Sequence, residues 1–190
     1  MTVRPYQKKD FRYVQDICVA SSKYADNDTA PNRALLCAMY CDYYLDNQAD
    51  YCFVAVDDND IPVGYVLSAV DLDDYEEKMQ EEYLQLVRKL SGSDYFRFIA
   101  ETKVVQRYIR QGYTAHFRVN VLEEHQRQGV GSELIGALEA KLREMFVEGF
   151  YVIVDKKNSS ARAFCDKMGF EDIDYLASEV VYGKKLFSED

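Results

Sequence analysis

Apolar positions recur along this chain with two periods, about 3.6 and 2, and their succession predicts its elements. Residues 2–5 read as a short strand. Behind Asp10, a candidate N-cap, Phe11, Val14, Ile17 and Cys18 recur at helical spacing. Pro31 can open a second helix reaching to about Asp46, with Leu35, Leu36, Met39, Tyr40, Tyr43 and Tyr44 on an apolar, aromatic side. Residues 50–56 and 61–70 are strand-like and flank the turn cluster Asp57-Asp58-Asn59-Asp60, which predicts an antiparallel hairpin. Over 73–90 the spacing of Tyr75, Met79, Tyr83, Leu86, Val87 and Leu90 is helical. Ser91-Gly92-Ser93 breaks it, and another helix is predicted over 94–110, ended by Gly112. A strand over 113–122, a helix from Gly129 to about Phe146 and a strand over 150–154 follow. The chain then closes with a helix over 158–168, stopped by Gly169, and strands over 170–175 and 179–187.

This order predicts a mixed α/β domain with a mostly antiparallel half and a parallel β-α-β unit at 113–154. There is no internal repeat, low-complexity segment or linker, so residues 1–190 read as a single domain. Hydrophobic residues are 48% and charged residues 29%, an ordinary globular composition. No apolar run is long enough for a bilayer, and the N-terminus lacks a signal-peptide pattern, so no membrane partner is expected. The five cysteines form no C-x-x-C pair and there are only two histidines. A metal site is therefore not expected, and an odd cysteine count fits a reducing cytoplasm. A formal net charge of −10 argues against nucleic acid as a partner. It would attract a cationic molecule such as an amine, although it also serves solubility.

The stretch from Ala115 to Leu134 reads as a strand, a short loop and a helix entered on Gly129 and Gly131. The first N–H groups of a helix have no internal partner, and its dipole adds positive charge there. Glycines let an anion approach that backbone, so the stretch is a candidate cradle for the diphosphate of a coenzyme.

Two segments carry a resemblance. Gln126-Arg127-Gln128-Gly129-Val130-Gly131 resembles the Q/R-x-x-G-x-G/A acetyl-CoA signature of the GNAT family of N-acetyltransferases. Asn158-Ser159-Ser160-Ala161-Arg162-Ala163-Phe164-Cys165-Asp166-Lys167-Met168-Gly169-Phe170 is similar to that family's second motif, N-x-x-A-x-x-F-Y-x-x-x-G-F. The two motifs stand in the family's order, separated by a helix and a strand. The resemblance implies a GNAT acyltransferase fold, an α/β mixed sheet, with residues 71–112 as a helical insertion between the third and fourth strands. It also implies acetyl-CoA as co-substrate.

By this resemblance, the backbone of Gln126, Arg127, Gln128, Gly129, Val130, Gly131 and Ser132 would hold the diphosphate, with Arg127 as a charge partner. The backbone of Val119 and Val121 would pair with the pantetheine arm in a gap between splayed strands. A bulge near there would turn the Val119 N–H toward the thioester oxygen. Asn158, Ala161 and Phe164 hold the second motif's coenzyme-side positions; capping a helix explains Asn158 equally well. The tyrosine the family uses as an acid is replaced by Cys165, which also reads as a small buried hydrophobe. His116, Arg118 and Asn120 share a strand face. His116 has a suitable intrinsic pKa for a base and reads equally as a structural histidine. Asn120 stands where some relatives carry a carboxylate, and an amide takes no proton at neutral pH. Glu101 or Glu123 would have to act through water, and His125 reads as packing or capping near the cradle. The insertion's Tyr75, Tyr83, Tyr95, Phe96 and Tyr108 could line an acceptor pocket or simply pack its helices.

The leading expectation is direct acetyl transfer from acetyl-CoA to a small-molecule or protein amine. A coenzyme A-binding protein with little catalysis is the alternative, and a nucleotide-binding regulatory domain is the weakest reading. No motif marks the acceptor, and the C-terminal strands could pair two chains into a homodimer.

Overall fold

One seven-stranded sheet, in the order β1-β2-β3-β4-β5-β7-β6, positions everything else in the computed structural model, which describes residues 1–22 and 25–187. β1 (Thr2–Pro5), β2 (Phe53–Val56), β3 (Pro62–Ala69) and β4 (Ala115–Val121) pair antiparallel in turn. β5 (Gly149–Asp155) runs parallel to β4, while β7 (Glu179–Lys185) and β6 (Glu171–Tyr175) complete the sheet antiparallel. The predicted hairpin and the parallel crossover are both present. Every residue of β3 is buried, because helices cover both faces of the sheet there.

On one face lie α1 (Phe11–Ala20), α2 (Ala30–Tyr40) and α3 (Asp42–Asn47). They share that core with the helices between β3 and β4: α4 (Leu72–Lys78), α5 (Leu84–Leu90), α6 (Gly92–Lys103) and α7 (Val105–Ile109). A π-helical turn, Met79–Tyr83, joins α4 to α5. The opposite face is covered by α8 (Val130–Glu144), with Leu134, Ile135, Leu138 and Leu142 fully buried, and by α9 (Ser159–Lys167). α8 has Glu133 in its first turn and Lys141 and Arg143 in its last, which matches the helix dipole. Strand alternation places odd residues of β4 in the α8 core and even residues toward the insertion.

Some boundaries differ from expectation for physical reasons. Asp10 does not cap α1 with its side chain. Its buried carboxylate instead takes two bonds from Arg4, at 2.7 and 2.9 Å, and one from the Gln7 N–H. The helix expected from Pro31 to Asp46 breaks at Cys41 (φ −140°), and the one over 94–110 divides at Val104. The far end of the insertion is tied to the last strands: Tyr108 Oη donates to Asp174 at 2.8 Å, and Arg107 pairs with the same carboxylate at 2.9 Å.

Candidate active site

β4 and β5 pair only at Ala115–Phe150 and His116–Tyr151, and beyond these the strands diverge. On its other side β4 stays in register with β3 from His116 opposite Ala69 to Val121 opposite Gly64. The bulge expected in β4 is therefore not formed in this ladder. The backbone direction follows from alternation instead. Leu122 N–H donates to the Val63 carbonyl at 2.9 Å, continuing the same register as a hydrogen-bonded pair. In an antiparallel ladder such pairs alternate, so residues 120, 118 and 116 turn their backbone groups to β3. Those of Val119 and Val121 turn away, into the gap facing β5. The Gln126 side chain donates to the Val121 carbonyl at 2.9 Å, which accords with that direction.

At the end of β4 the loop enters α8 through two left-handed residues, Arg127 (φ 60°) and Gly129 (φ 89°). The first backbone bond of α8 runs from Glu133 N–H to the Gly129 carbonyl. Among the described residues, the N–H groups of Arg127, Gln128, Gly129, Val130, Gly131 and Ser132 have no backbone partner. Gln126 departs from expectation, because its N–H is spent on the Glu123 carbonyl and its amide on Val121. The two glycines do different work. Gly129 supplies a backbone conformation that other residues resist, with open space around it, whereas Gly131 lies under the ring of Phe164.

A cleft of about 570 Å³ opens in the gap, a volume suited to a small-molecule ligand. Val119, Asn120, Asn158, Ala161, Phe164 and Cys165 all line it. Asn158 caps α9 by accepting from Ala161 N–H at 3.0 Å, which leaves its amide N–H groups uncommitted to that bond. Cys165 is buried, and burial pushes its thiol up to about 12, with Asp166 adding to the effect. Asn120 donates to the Tyr65 hydroxyl at 2.7 Å.

His116 is 5% exposed and sits among Tyr44, Tyr75 and Tyr151, with ring centroids 5.5, 4.4 and 5.6 Å away. Burial, reinforced by nearby Arg118, lowers its pKa well below the ordinary histidine value. It does not line the main cleft but borders a small void behind the strand junction. Exposed Glu123 is likewise outside the cleft lining.

The opposite wall comes from residues far apart in sequence. Glu101, from α6 of the insertion, lines the cleft at 8% exposure. Two guanidiniums hold it, Arg97 at 3.2 Å and Arg118 at 3.4 Å. Burial raises the Glu101 carboxyl above the ordinary glutamate value, with Arg118 and Arg97 pulling the other way. Arg118 stacks on Tyr40 and Phe98, with distances of 5.2 and 5.7 Å to the ring centroids, and its Nε is buried with no hydrogen-bond partner. Arg97 also donates to the Tyr40 hydroxyl at 2.9 Å. Glu179, at the start of β7, adds a second carboxylate to the lining and raises the Glu101 carboxyl further. The insertion thus reaches the cleft, but through Arg97 and Glu101. Its Tyr75 and Tyr108 are core residues, and Phe96 is exposed. Arg97 and Glu101 stand four apart on one helix, which in sequence looks like a solvent-exposed pair. Arg118 was legible only as sharing a face with His116 and Asn120.

Comparison with known proteins gives the family and the fold. Residues 18–170 match the model of the acetyltransferase (GNAT) family. A crystal structure of SsHAT is similar at a TM-score of 0.84, with 23% identity over 98% of each chain. A polyamine N-acetyltransferase from Drosophila melanogaster matches at 0.68, with 15% identity over 97% of this chain and 99% of that one. A PaiA N-acetyltransferase from Thermoplasma acidophilum, solved in complex with coenzyme A, matches at 0.63, with 14% identity over 97% and 98%. At these identities the likeness to solved structures is one of fold.

Proposed function

Since the chain belongs to the acetyltransferase (GNAT) family, we propose that it transfers acetyl from acetyl-CoA directly to the amine of a small-molecule or protein acceptor. The observation that carries this reading is the run of unpartnered N–H groups from Arg127 to Ser132 at the mouth of the β4–β5 gap. That arrangement suits a diphosphate on the helix terminus and an amide-bearing arm along a strand edge. In this reading Val119 and Val121 face the arm with their backbone groups. Asn158, Ala161 and Phe164 border it, and Gln126 braces Val121 without donating to phosphate.

The acetyl group is the electrophile that the coenzyme supplies. The Val119 N–H is the donor toward the carbonyl oxygen where negative charge develops. The amine must lose a proton as it attacks. Glu101 is our candidate for that proton, directly or through one water, because it is a carboxylate on the cleft wall with a raised pKa. His116 is buried away from the cleft lining, and Asn120 is an amide bonded to Tyr65, so neither is given that part. Asn120 instead positions the wall beside Val119. Cys165 stands where the family's tyrosine acid is expected. With its pKa near 12 it stays a thiol and is a poor donor to a departing thiolate. The leaving group would then take its proton from water.

The same Cys165 favours a second reading, a coenzyme A-binding protein with little turnover. One pair of experiments separates the readings. Thermal stabilisation by acetyl-CoA but not by ATP is expected from both. Release of free coenzyme A thiol with a panel of amines is expected only from the enzyme. A chain that ignores acetyl-CoA overturns both.

A further inference from the structure

α1, α2 and α3 bring together a group of side chains that acetyl transfer does not use. Cys37 and Cys41 lie four residues apart on one helical face. The helix breaks at Cys41, and the break carries Asp42 to the same point. One ligand atom from each of Cys37, Cys41 and Asp42 lies within 4.8 Å of the other two, and Cys41 Sγ is 3.6 Å from Asp42 Oδ1. Cys18 of α1 is buried in the same core. All three thiols are at most 3% exposed.

We propose that Cys37, Cys41 and Asp42 form a binding site for one thiophilic divalent cation of the zinc class. Two sulfurs and one oxygen supply three donors of a tetrahedral centre and leave its fourth position to water; its sulfurs stand roughly 3.8 Å apart when each metal–sulfur bond is about 2.3 Å. Small rotamer changes would close the present spacing.

Charge supplies an independent argument. Among the described residues, no lysine or arginine pairs with the half-buried Asp42 carboxylate. It is held by the Gln15 amide at 2.9 Å. A carboxylate without a cation is costly to bury, and a divalent ion would remove that cost. Gln15, itself 8% exposed, is placed to orient the ligating carboxylate as outer-sphere partners do. Cys52 and Cys165 offer a contrast. Each is buried outside this cluster and fits the ordinary description of cysteine as a small apolar residue.

The site would be architectural. Cys18 from α1 lines the cleft, as do Leu36 and Tyr40 from α2. A metal joining Cys37 and Cys41 to Asp42 would brace the break between α2 and α3 behind this wall. Each bound thiol gives up its proton as the metal–sulfur bond forms, so affinity rises with pH.

The test uses the full chain, stripped of metal under a phosphine reductant and titrated with Zn²⁺ against a chromophoric chelator. One equivalent is expected to bind with a rise in Tm, and Co²⁺ in its place is expected to give thiolate-to-cobalt charge-transfer absorption. Cys41→Ser is expected to lose that absorption. Asp42→Asn, which leaves all thiols in place, is expected to lower affinity at least ten-fold. Cys52→Ala is expected to retain one equivalent. The proposal is overturned if the wild-type chain binds no stoichiometric Zn²⁺ or shows no cobalt–thiolate absorption. It is equally overturned if Asp42→Asn and Cys41→Ser bind as the wild type does.

Discussion

The ring of Phe164 rests on Gly131, so that a Cβ at residue 131 would meet Cε2 and Cζ at 3.3 Å. That contact joins the entry of α8 to the face of α9, beside the proposed coenzyme seat. Gly131→Val is expected to push the ring aside and weaken acetyl-CoA binding about ten-fold, or about 1.4 kcal/mol. Gly131→Ala should do less, since the ring need shift only by tenths of an ångström. Titration of the purified variants with acetyl-CoA checks both.

Gly129 should respond differently, because space is not its constraint. At φ 89° a side chain is strained whatever surrounds it. Gly129→Ala is expected to cost about 1–2 kcal/mol of stability, read from urea unfolding without ligand.

Glu101 gives a prediction in pH. A general base must be ionised, so activity rises as pH climbs through its pKa. Burial raises that pKa, and the acid limb of kcat/KM should therefore lie above the ordinary glutamate range. Glu101→Gln is expected to lower kcat by about 10²-fold or more and to remove the limb. An unchanged profile would reassign the base.

Cys165 is expected to behave as an inert thiol. With its pKa pushed up to about 12, almost none is thiolate at neutral pH. Iodoacetamide labelling of the native chain, mapped by peptide mass, should therefore leave it unmodified. Cys165→Ala should keep most of kcat, and a large loss would show that the thiol takes part in the reaction.

Away from the cleft, Asp10→Ala would strand a largely buried guanidinium. The side chains of Arg4 and Asp10 are 17% and 2% exposed. Removing one partner of a buried pair costs about 3–5 kcal/mol. Arg4 keeps Asp60 at 2.8 Å, so about 3 kcal/mol is expected, measured by urea unfolding.

The segments proposed to hold the coenzyme were readable as structure because they are local: Gln126 to Ser132 and Asn158 to Phe164 are two short runs whose spacing encodes a helix entry and a helix face. The opposite wall of the cleft was not, because it is assembled from distant places. Cys18, Tyr40, Glu101, Arg118 and Glu179 meet only after the sheet forms and the insertion docks. The cysteines carried the same ambiguity. In sequence Cys37 and Cys41 are two more apolar positions on a helix, and only the break at Cys41 turns the neighbouring Asp42 toward them. The β4 bulge was misjudged for another reason: alternation along a regular strand already aims the Val119 backbone into the gap.

Among the described residues, β4 and β5 share two ladder pairs. Mechanically the sheet is two plates, β1 to β4 and β5 to β6, sharing a short weld. Glu101 is bonded to Arg118 on one plate, while Glu179 belongs to the other. α7 is tied across to β6 through Asp174. In the proposed function, a twist about that junction would change both the width of the gap and the spacing of the two carboxylates, and the Asp174 tether spans it.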